Sequence, residues 1–269
     1  MDAIFNAINK EAQFTLEMFC AGYTQIRNAN LAQKGIYFQA FTSLSTGIER
    51  IGKIILLLDY ANNKNCFPTI DYMKKKGHDI DKIYESIMEI KEKYQFNFRY
   101  IKELNKSIYT DILHILSRFG KGDRYSNIDL MVNSRDYNDP ISEWYNKIDR
   151  YIIENDIKEK KINKIKEQAK LVHTLTADIA SVRFIDENEK KINTPFEMYL
   201  TSNINSLVGP YRQLYIYQIL RYFVEVLRNV EGYTRKINVI QIPDFWEIFH
   251  LFNCEDNFVK NRKVLKTIV

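Results

Sequence analysis

Apolar residues recur every three or four positions along most of this chain, the period of an α-helix rather than of a strand. Phe5, Ile8, Ala12, Leu16 and Phe19 fall on one face of a first helix. Phe38, Phe41, Leu44, Ile48, Ile51, Ile55 and Leu58 make a nearly continuous stripe along a second, longer one. Gly47 and Gly52 lower the helix propensity of that segment. Their expected use is to let a neighbouring helix approach closely. The run Asn62 to Asn65 and Pro68 then end it. A third helix opens at Asp79, whose carboxylate can accept bonds from the first-turn amides. Its apolar face is Ile80, Ile83, Ile87, Ile90 and Tyr94. A fourth turns Phe98, Ile101, Leu104, Ile108, Ile112, Ile115 and Phe119 inward and stops at Gly120.

Residues 120–139 hold Gly120, Gly122 and several Asn and Asp, and read as the clearest non-helical stretch. Pro140, capped by Asp139, starts a helix that reaches about Asn155. Another is expected from Lys158 to Val182, burying Ile162, Ile165, Ala169, Val172, Ile179 and Val182. Asp186 to Lys191 is a polar turn. Thr194, Pro195 and Glu197 have the spacing of a capping box. Gly209-Pro210 is expected to break that helix, and a strongly apolar one follows from Tyr211 to Val230. Ile237 to Ile242 is the only plausible strand. Pro243-Asp244, with Glu247 three residues after the cap, opens a last helix. The sum is an all-α, multi-helix bundle in which short connections make neighbours antiparallel. A single helical domain over 1–269 is the simplest division. A break near 183–194 would instead give a bundle over 1–185 and a helical extension over 186–269.

Composition agrees, with nine Gly and five Pro in 269 residues. The net charge of +5 is mild and dispersed. Lys74 to Lys76 form one cluster, and the run Lys158 to Lys170 is interleaved with Glu159 and Glu167. A duplex-DNA binder shows a stronger basic stripe, which leaves transient RNA contact as the nucleic-acid option. The longest purely aliphatic run is Ile54 to Leu58, against roughly 20 residues for a membrane span. The N-terminus lacks a secretory signal, and Cys20, Cys66 and Cys254 are odd in number and widely separated. The expectation is a cytoplasmic protein with free thiols and no membrane partner.

Neither a cofactor nor a metal is expected. Gly120-Lys-Gly122 lacks the spacing of a Walker phosphate loop. His78, His114, His173 and His250 are scattered. Glu247 and His250 form one Glu-x-x-His pair, where a di-metal bundle site needs two and further Glu residues. Asp111 stands three before His114 and is expected to orient it; His114 and His173 read as satisfied core histidines.

Two constellations carry candidate chemistry. Glu49, Arg50 and Lys53 lie on the second helix, and His78 and Asp79 on the loop that follows. As a site, Arg50 would hold a phosphate or carboxylate and His78 would move protons. As a latch, Glu49 or Asp79 would receive His78 and pin the loop over the bundle. The second constellation is Arg118, Lys121 and Arg124, able to meet an RNA backbone with Tyr125 available to stack. The alternative is that Arg124, Asn127 and Asp129 organise their own loop. Arg221 and Arg228, further on, read as a solvated face with Glu225, or as the rim of an interface for an acidic partner.

The run Gly47-Ile-Glu-Arg-Ile-Gly-Lys53 followed by Lys76-Gly-His-Asp-Ile80 resembles the helical HEPN superfamily, including members found in bacterial defence and abortive-infection loci. Arg124-Tyr-Ser-Asn-Ile-Asp129 is similar to a segment of some long HEPN-like proteins. The resemblance covers about the first half of the chain. It implies an all-α bundle, frequently a two-fold homodimer. Many members are metal-independent ribonucleases marked by Arg, four to six residues, then His. There the His acts in proton transfer and the Arg stabilises phosphate charge. No histidine here has an Arg five to seven positions upstream, and Lys166 before His173 is the nearest substitute. The expectation is a non-catalytic or diverged HEPN-like protein, working through protein or RNA contacts in a bacterial stress or defence system. One alternative is a metal-independent ribonuclease with a rearranged site, His78 with Arg50 or His173 with Lys166. The other is a purely structural helical interaction protein.

Overall fold

The computed structural model describes residues 3–94, 96–132, 138–237 and 240–267. It is all-α apart from one two-stranded hairpin. Helices α1 (Ala3–Asn28) and α2 (Gly35–Lys64) form the most extensive pairing. Gly47 is what allows it, because a Cβ there would lie 2.7 Å from Phe19 Cδ1. Gly52 does the same on the other side of α2, against Ile83 of α4. Between them runs α3 (Ile70–Lys76), a short helix that the apolar period gives no sign of. Helix α4 (Ile80–Tyr94) buries Ile80, Ile83, Ile87 and Ile90 as its spacing predicts.

The next helix is shorter than expected. Helix α5 (Ser107–Lys121) leaves out Phe98, Ile101 and Leu104, although Phe98 and Leu104 are buried. The reason lies in the backbone. The amides of Asn97 and Arg99 donate to the side chains of Asn229 and Glu225, not to helical carbonyls. At its other end α5 runs past Gly120 to Lys121. The stretch expected to be irregular then holds a 3-10 turn (Asp123–Tyr125) and α6 (Ser126–Met131). Residues 133–137 of that stretch lie outside the described residues.

Pro140 opens α7 (Pro140–Trp144), with the Asp139 carboxylate accepting from the amides of Ile141 and Ser142. A single π turn (Tyr145–Asp149) joins it to α8 (Arg150–Asn155). Helix α9 (Glu159–Thr176) stops six residues before the expected end, and Ile179 is 84% exposed. The polar turn at Asp186 is the tip of a hairpin, β1 (Phe184–Ile185) with β2 (Lys191–Ile192). Among the described residues of the range Ile237 to Ile242, the expected strand does not form. Ile237 closes a helix, residues 240–242 are outside any sheet, and 238 and 239 are not described.

That helix is α10 (Pro195–Ile237), 43 residues long. Its capping box is complete, with Thr194 Oγ1 accepting from the Glu197 amide and Glu197 Oε2 from the Thr194 amide. Gly209-Pro210 does not break it. Proline surrenders one helical hydrogen bond, while Gly209 lets α10 press against α1, where a Cβ would lie 2.5 Å from the Arg27 carbonyl oxygen. Packing on α1 and α2 outweighs the lost bond. The last helix of the sequence reading is divided into α11 (Phe245–Ile248), a 3-10 turn (His250–Asn253) and α12 (Asp256–Asn261).

The core is contiguous across α1, α2, α4, α5, α10 and the segment after α10. Phe19, Tyr217, Phe249 and Phe252 cluster within it, Tyr217 stacked on Phe252 and Phe19 meeting Phe252 edge-on. The hydroxyl of Tyr23 lies 2.9 Å from the Val259 carbonyl and 3.1 Å from that of Arg262, tying α1 to α12. Among the described residues, no helix is long and apolar enough to cross a membrane.

Candidate functional site

The loop between α3 and α4 is shaped by Gly77, whose φ of +61° with ψ of −149° suits only glycine. That conformation turns His78 back over α2. His78 Nδ1 lies 2.8 Å from Glu49 Oε1, and Lys53 Nζ lies 2.5 Å from the same oxygen. Glu49 therefore sits between a histidine and a lysine, as the latch reading requires. The His78 side chain remains 74% exposed.

Asp79 faces the other way, into α5. Its carboxylate accepts from Ser117 Oγ at 3.0 Å, from Lys121 Nζ at 3.1 Å and, at 3.4 Å, from the Lys82 amide in the first turn of α4. Burial alone would raise this carboxyl. The bonds from Lys121 and Ser117, with the Lys121 charge, outweigh burial and hold it below the usual carboxylate range. One short loop thus fastens α4 to both α2 and α5.

Glu49, His78, Asp79, Lys121 and Arg124 line a single cavity of about 350 Å³. At its edge the Arg124 guanidinium stacks over the Tyr125 ring, 5.1 Å from the centroid, and both residues are exposed. Five of the nine candidate residues therefore line one cavity and Tyr125 adjoins it.

The remaining candidates behave differently. Arg50 turns away and pairs with Glu11 of α1 at 2.5 Å. It is one residue from Glu49, hence about 100° around the helix, and cannot share its partner. Pairing of Arg50 with His78 is thereby set aside. Arg118 is held by Asp123 at 3.2 Å and Glu143 at 3.5 Å. Lys53 reaches the site only through Glu49.

His114 and His250 find partners that spacing did not indicate. His114 Nδ1 faces Asp81 of α4 at 3.3 Å, while Asp111 lies 3.8 Å from Lys147. His114 is half-exposed rather than a core histidine. His250 Nδ1 meets the Glu247 backbone carbonyl, not its carboxylate. Lys166 and His173 stand two turns apart on α9, with Lys166 exposed and His173 half-buried. Among the described residues, no group of three or more His, Cys, Asp or Glu is arranged to hold a metal.

The arginines of α10 correct the reading of a solvated face. Arg221 is 2% exposed, pairs with Asp256 at 2.8 Å and lies 3.8 Å from the Tyr100 ring centroid. Arg228 stacks over Trp246 at 4.1 Å and donates to Asn253 Oδ1 and the Phe249 carbonyl. Both pack the segment after α10 onto the helix.

Arg212 escaped the sequence reading altogether. It is fully buried and grips Asp149, at the end of the π turn, with Nε at 2.7 Å and Nη2 at 2.5 Å. Burial pushes the Asp149 carboxyl up, against the opposing charge and bonds of Arg212. A signal was present in the spacing. Val208, Arg212 and Ile216 recur every four positions, so this charge lies on a buried stripe and demands a partner. The partner's identity required the fold.

The chain matches no family model, and neither the curated proteins nor the solved structures contain a match to it.

Proposed function

We propose that this protein is a diverged, non-catalytic HEPN-like helical protein that contacts single-stranded RNA, with His78, Arg124 and Tyr125 at the contact edge. The observation carrying this reading is the exposed Arg124–Tyr125 stack at the rim of the cavity that His78 also lines. An aromatic ring beside a cation suits a base and its phosphate, and needs no particular sequence. The other cations are committed inside the protein, Arg50 to Glu11, Arg118 to Asp123 and Lys121 to Asp79. Such pairs support a fastening role for the ground beneath the rim.

The test is fluorescence anisotropy with a labelled mixed-sequence single-stranded RNA. Binding should weaken as salt rises from 50 to 200 mM. Tyr125→Ala should weaken it by about 5- to 150-fold, equivalent to the ~1–3 kcal/mol of one base stacked on an aromatic ring. Affinity that ignores salt, or that in Arg124→Ala and Tyr125→Ala equals that of wild type, removes RNA contact at this edge. The expected homodimer is checked by light scattering, where a strict monomer at high concentration counts against it.

A second reading rests on the Glu49–His78 pair. A carboxylate bound at Nδ1 leaves Nε2 turned outward, an arrangement suited to proton transfer at a ribose hydroxyl. Lys53, which shares Glu49 Oε1 with His78, would then be the nearby cation in place of Arg50. RNA cleavage in EDTA by wild type that is lost in His78→Ala moves the protein to this reading. Intact RNA with both leaves the contact reading in place.

A further inference from the structure

The last turn of α1 carries Arg27, and α10 crosses it at Gly209, where a Cβ would lie 3.5 Å from Arg27 Cγ. Two cavities flank this crossing and share Arg27, Ser206 and Pro210 in their linings. The smaller, about 170 Å³, adds Lys161 of α9 and Lys260 of α12. The larger, about 540 Å³, adds Lys263 together with Asn28 and Ser202. Among the described residues, no carboxylate lines either one. Neither shares a residue with the cavity that His78 lines.

Arg27 is half-buried, and its hydrogen bonds leave one edge free. Nη1 donates to Gln213 Oε1 at 2.7 Å and to the Lys260 carbonyl at 3.0 Å. Nε and Nη2 have no partner among the described residues, and neither is closed off from solvent. Those two nitrogens form the side-on edge of the guanidinium, a fork whose parallel N–H groups match two oxygens of a phosphate. Burial draws the Arg27 pKa down, and the group opposing it is Tyr23, not a carboxylate. Lys260 Nζ is held over the Tyr211 ring, 3.5 Å from the centroid. Lys161 and Lys263 are exposed and form no ion pair among the described residues.

We propose that the Arg27 cleft binds the phosphate group of a small phosphorylated molecule, its oxygens gripped by the Nε–Nη2 edge of Arg27, with Lys161 and Lys260 supplying further charge. Cations without an acid among them call for an anion of more than one charge. A phosphate monoester carries about −1.5 to −2 at neutral pH, where a carboxylate carries one. At roughly 30 Å³ per water, the smaller cavity has the space of about five or six waters, enough for one phosphate. The amide of Asn28 and the hydroxyl of Ser202 in the larger cavity suit a polyol attached to that phosphate better than an apolar chain.

The experiment is isothermal titration of the full chain with inorganic phosphate, ribose 5-phosphate, ribose and acetate. Saturable binding of both phosphate compounds is expected, weakening as salt rises, with no saturable heat from ribose or acetate. Equal affinity for the two assigns the cleft to phosphate itself. Tighter binding of ribose 5-phosphate assigns it to an ester whose sugar occupies the larger cavity. Arg27→Lys, which keeps the charge and removes the fork, should weaken both by about tenfold or more. Lys161→Gln, at an exposed position, should weaken both by about two- to fivefold. Lys74→Gln, in the basic last turn of α3, should change neither. Absence of saturable heat with both phosphate compounds overturns the proposal. So does ribose or acetate binding as tightly as ribose 5-phosphate, unchanged affinity in a folded Arg27→Lys protein, or equal losses in Lys161→Gln and Lys74→Gln.

Discussion

Gly209 offers a direct test of how α10 is seated on α1. Replacing it with Ala adds one methyl group, placed 2.5 Å from the Arg27 carbonyl oxygen. Ordinary contact lies between about 3.4 and 4 Å, so the intrusion is close to 1 Å. The obstacle is backbone, not a rotatable side-chain tip, so relief means moving the end of α1. Overpacking of this kind costs about 1–3 kcal/mol. Against it stands the gain in helix propensity of Ala over Gly, about 1 kcal/mol. Gly232 supplies the control. It lies in the same helix and is exposed, and an added Cβ meets nothing within 4 Å. Gly232→Ala should therefore stabilise by up to about 1 kcal/mol. Gly209→Ala alone adds the collision with the Arg27 carbonyl and the crowding of a Cβ placed before Pro210, so the two variants should differ by at least about 1–3 kcal/mol. Urea denaturation followed by far-UV circular dichroism measures both. Equal midpoints for Gly209→Ala and Gly232→Ala would falsify the reasoning and mean that α10 is not pressed against the Arg27 carbonyl.

Two further outcomes follow from the buried and half-buried charges. Asp149→Asn leaves the fully buried Arg212 without its counter-charge and should cost about 3–5 kcal/mol in urea denaturation; a loss below about 1 kcal/mol contradicts the role given to this pair. Asp79 titrates lower in the folded chain than an ordinary aspartate, so its contribution exists above the unfolded pKa and disappears as pH falls through the folded one. Lys121 is 43% exposed, which limits that contribution to under about 1 kcal/mol. Asp79→Asn should be less stable than wild type at pH 6, with the gap narrowing towards pH 2; a gap that does not change with pH refutes this.

The sequence revealed what depended on neighbours along the chain. Apolar spacing located α1, α2 and α4, and the caps at Asp79, Asp139, Thr194 and Asp244 start helices in the structure. Gly47 and Gly52 were read as sites of close approach, and a single Cβ at either would collide with the next helix. Failures arose where distant partners decide. Phe98 and Leu104 keep a helical spacing, yet amides nearby are taken by Asn229 and Glu225, more than a hundred residues away. Gly209-Pro210 has the local chemistry of a stop, and packing overrode it. The Glu49–His78 contact was readable because helix and loop are close in sequence. Arg50 was misassigned because Glu11 belongs to a different helix. Arg212 announced a buried partner by its spacing, but Asp149 ends a π turn, for which apolar periodicity has no signature.

Tyr23 and the Val259 carbonyl that it grips are 236 residues apart. Closing so long a loop is entropically disfavoured early in folding. The first helix must therefore wait, its aromatic side unclasped, until the final turns dock. During vectorial synthesis that side stays open to rearrangement, or to capture by another molecule, until residue 262 has left the ribosome.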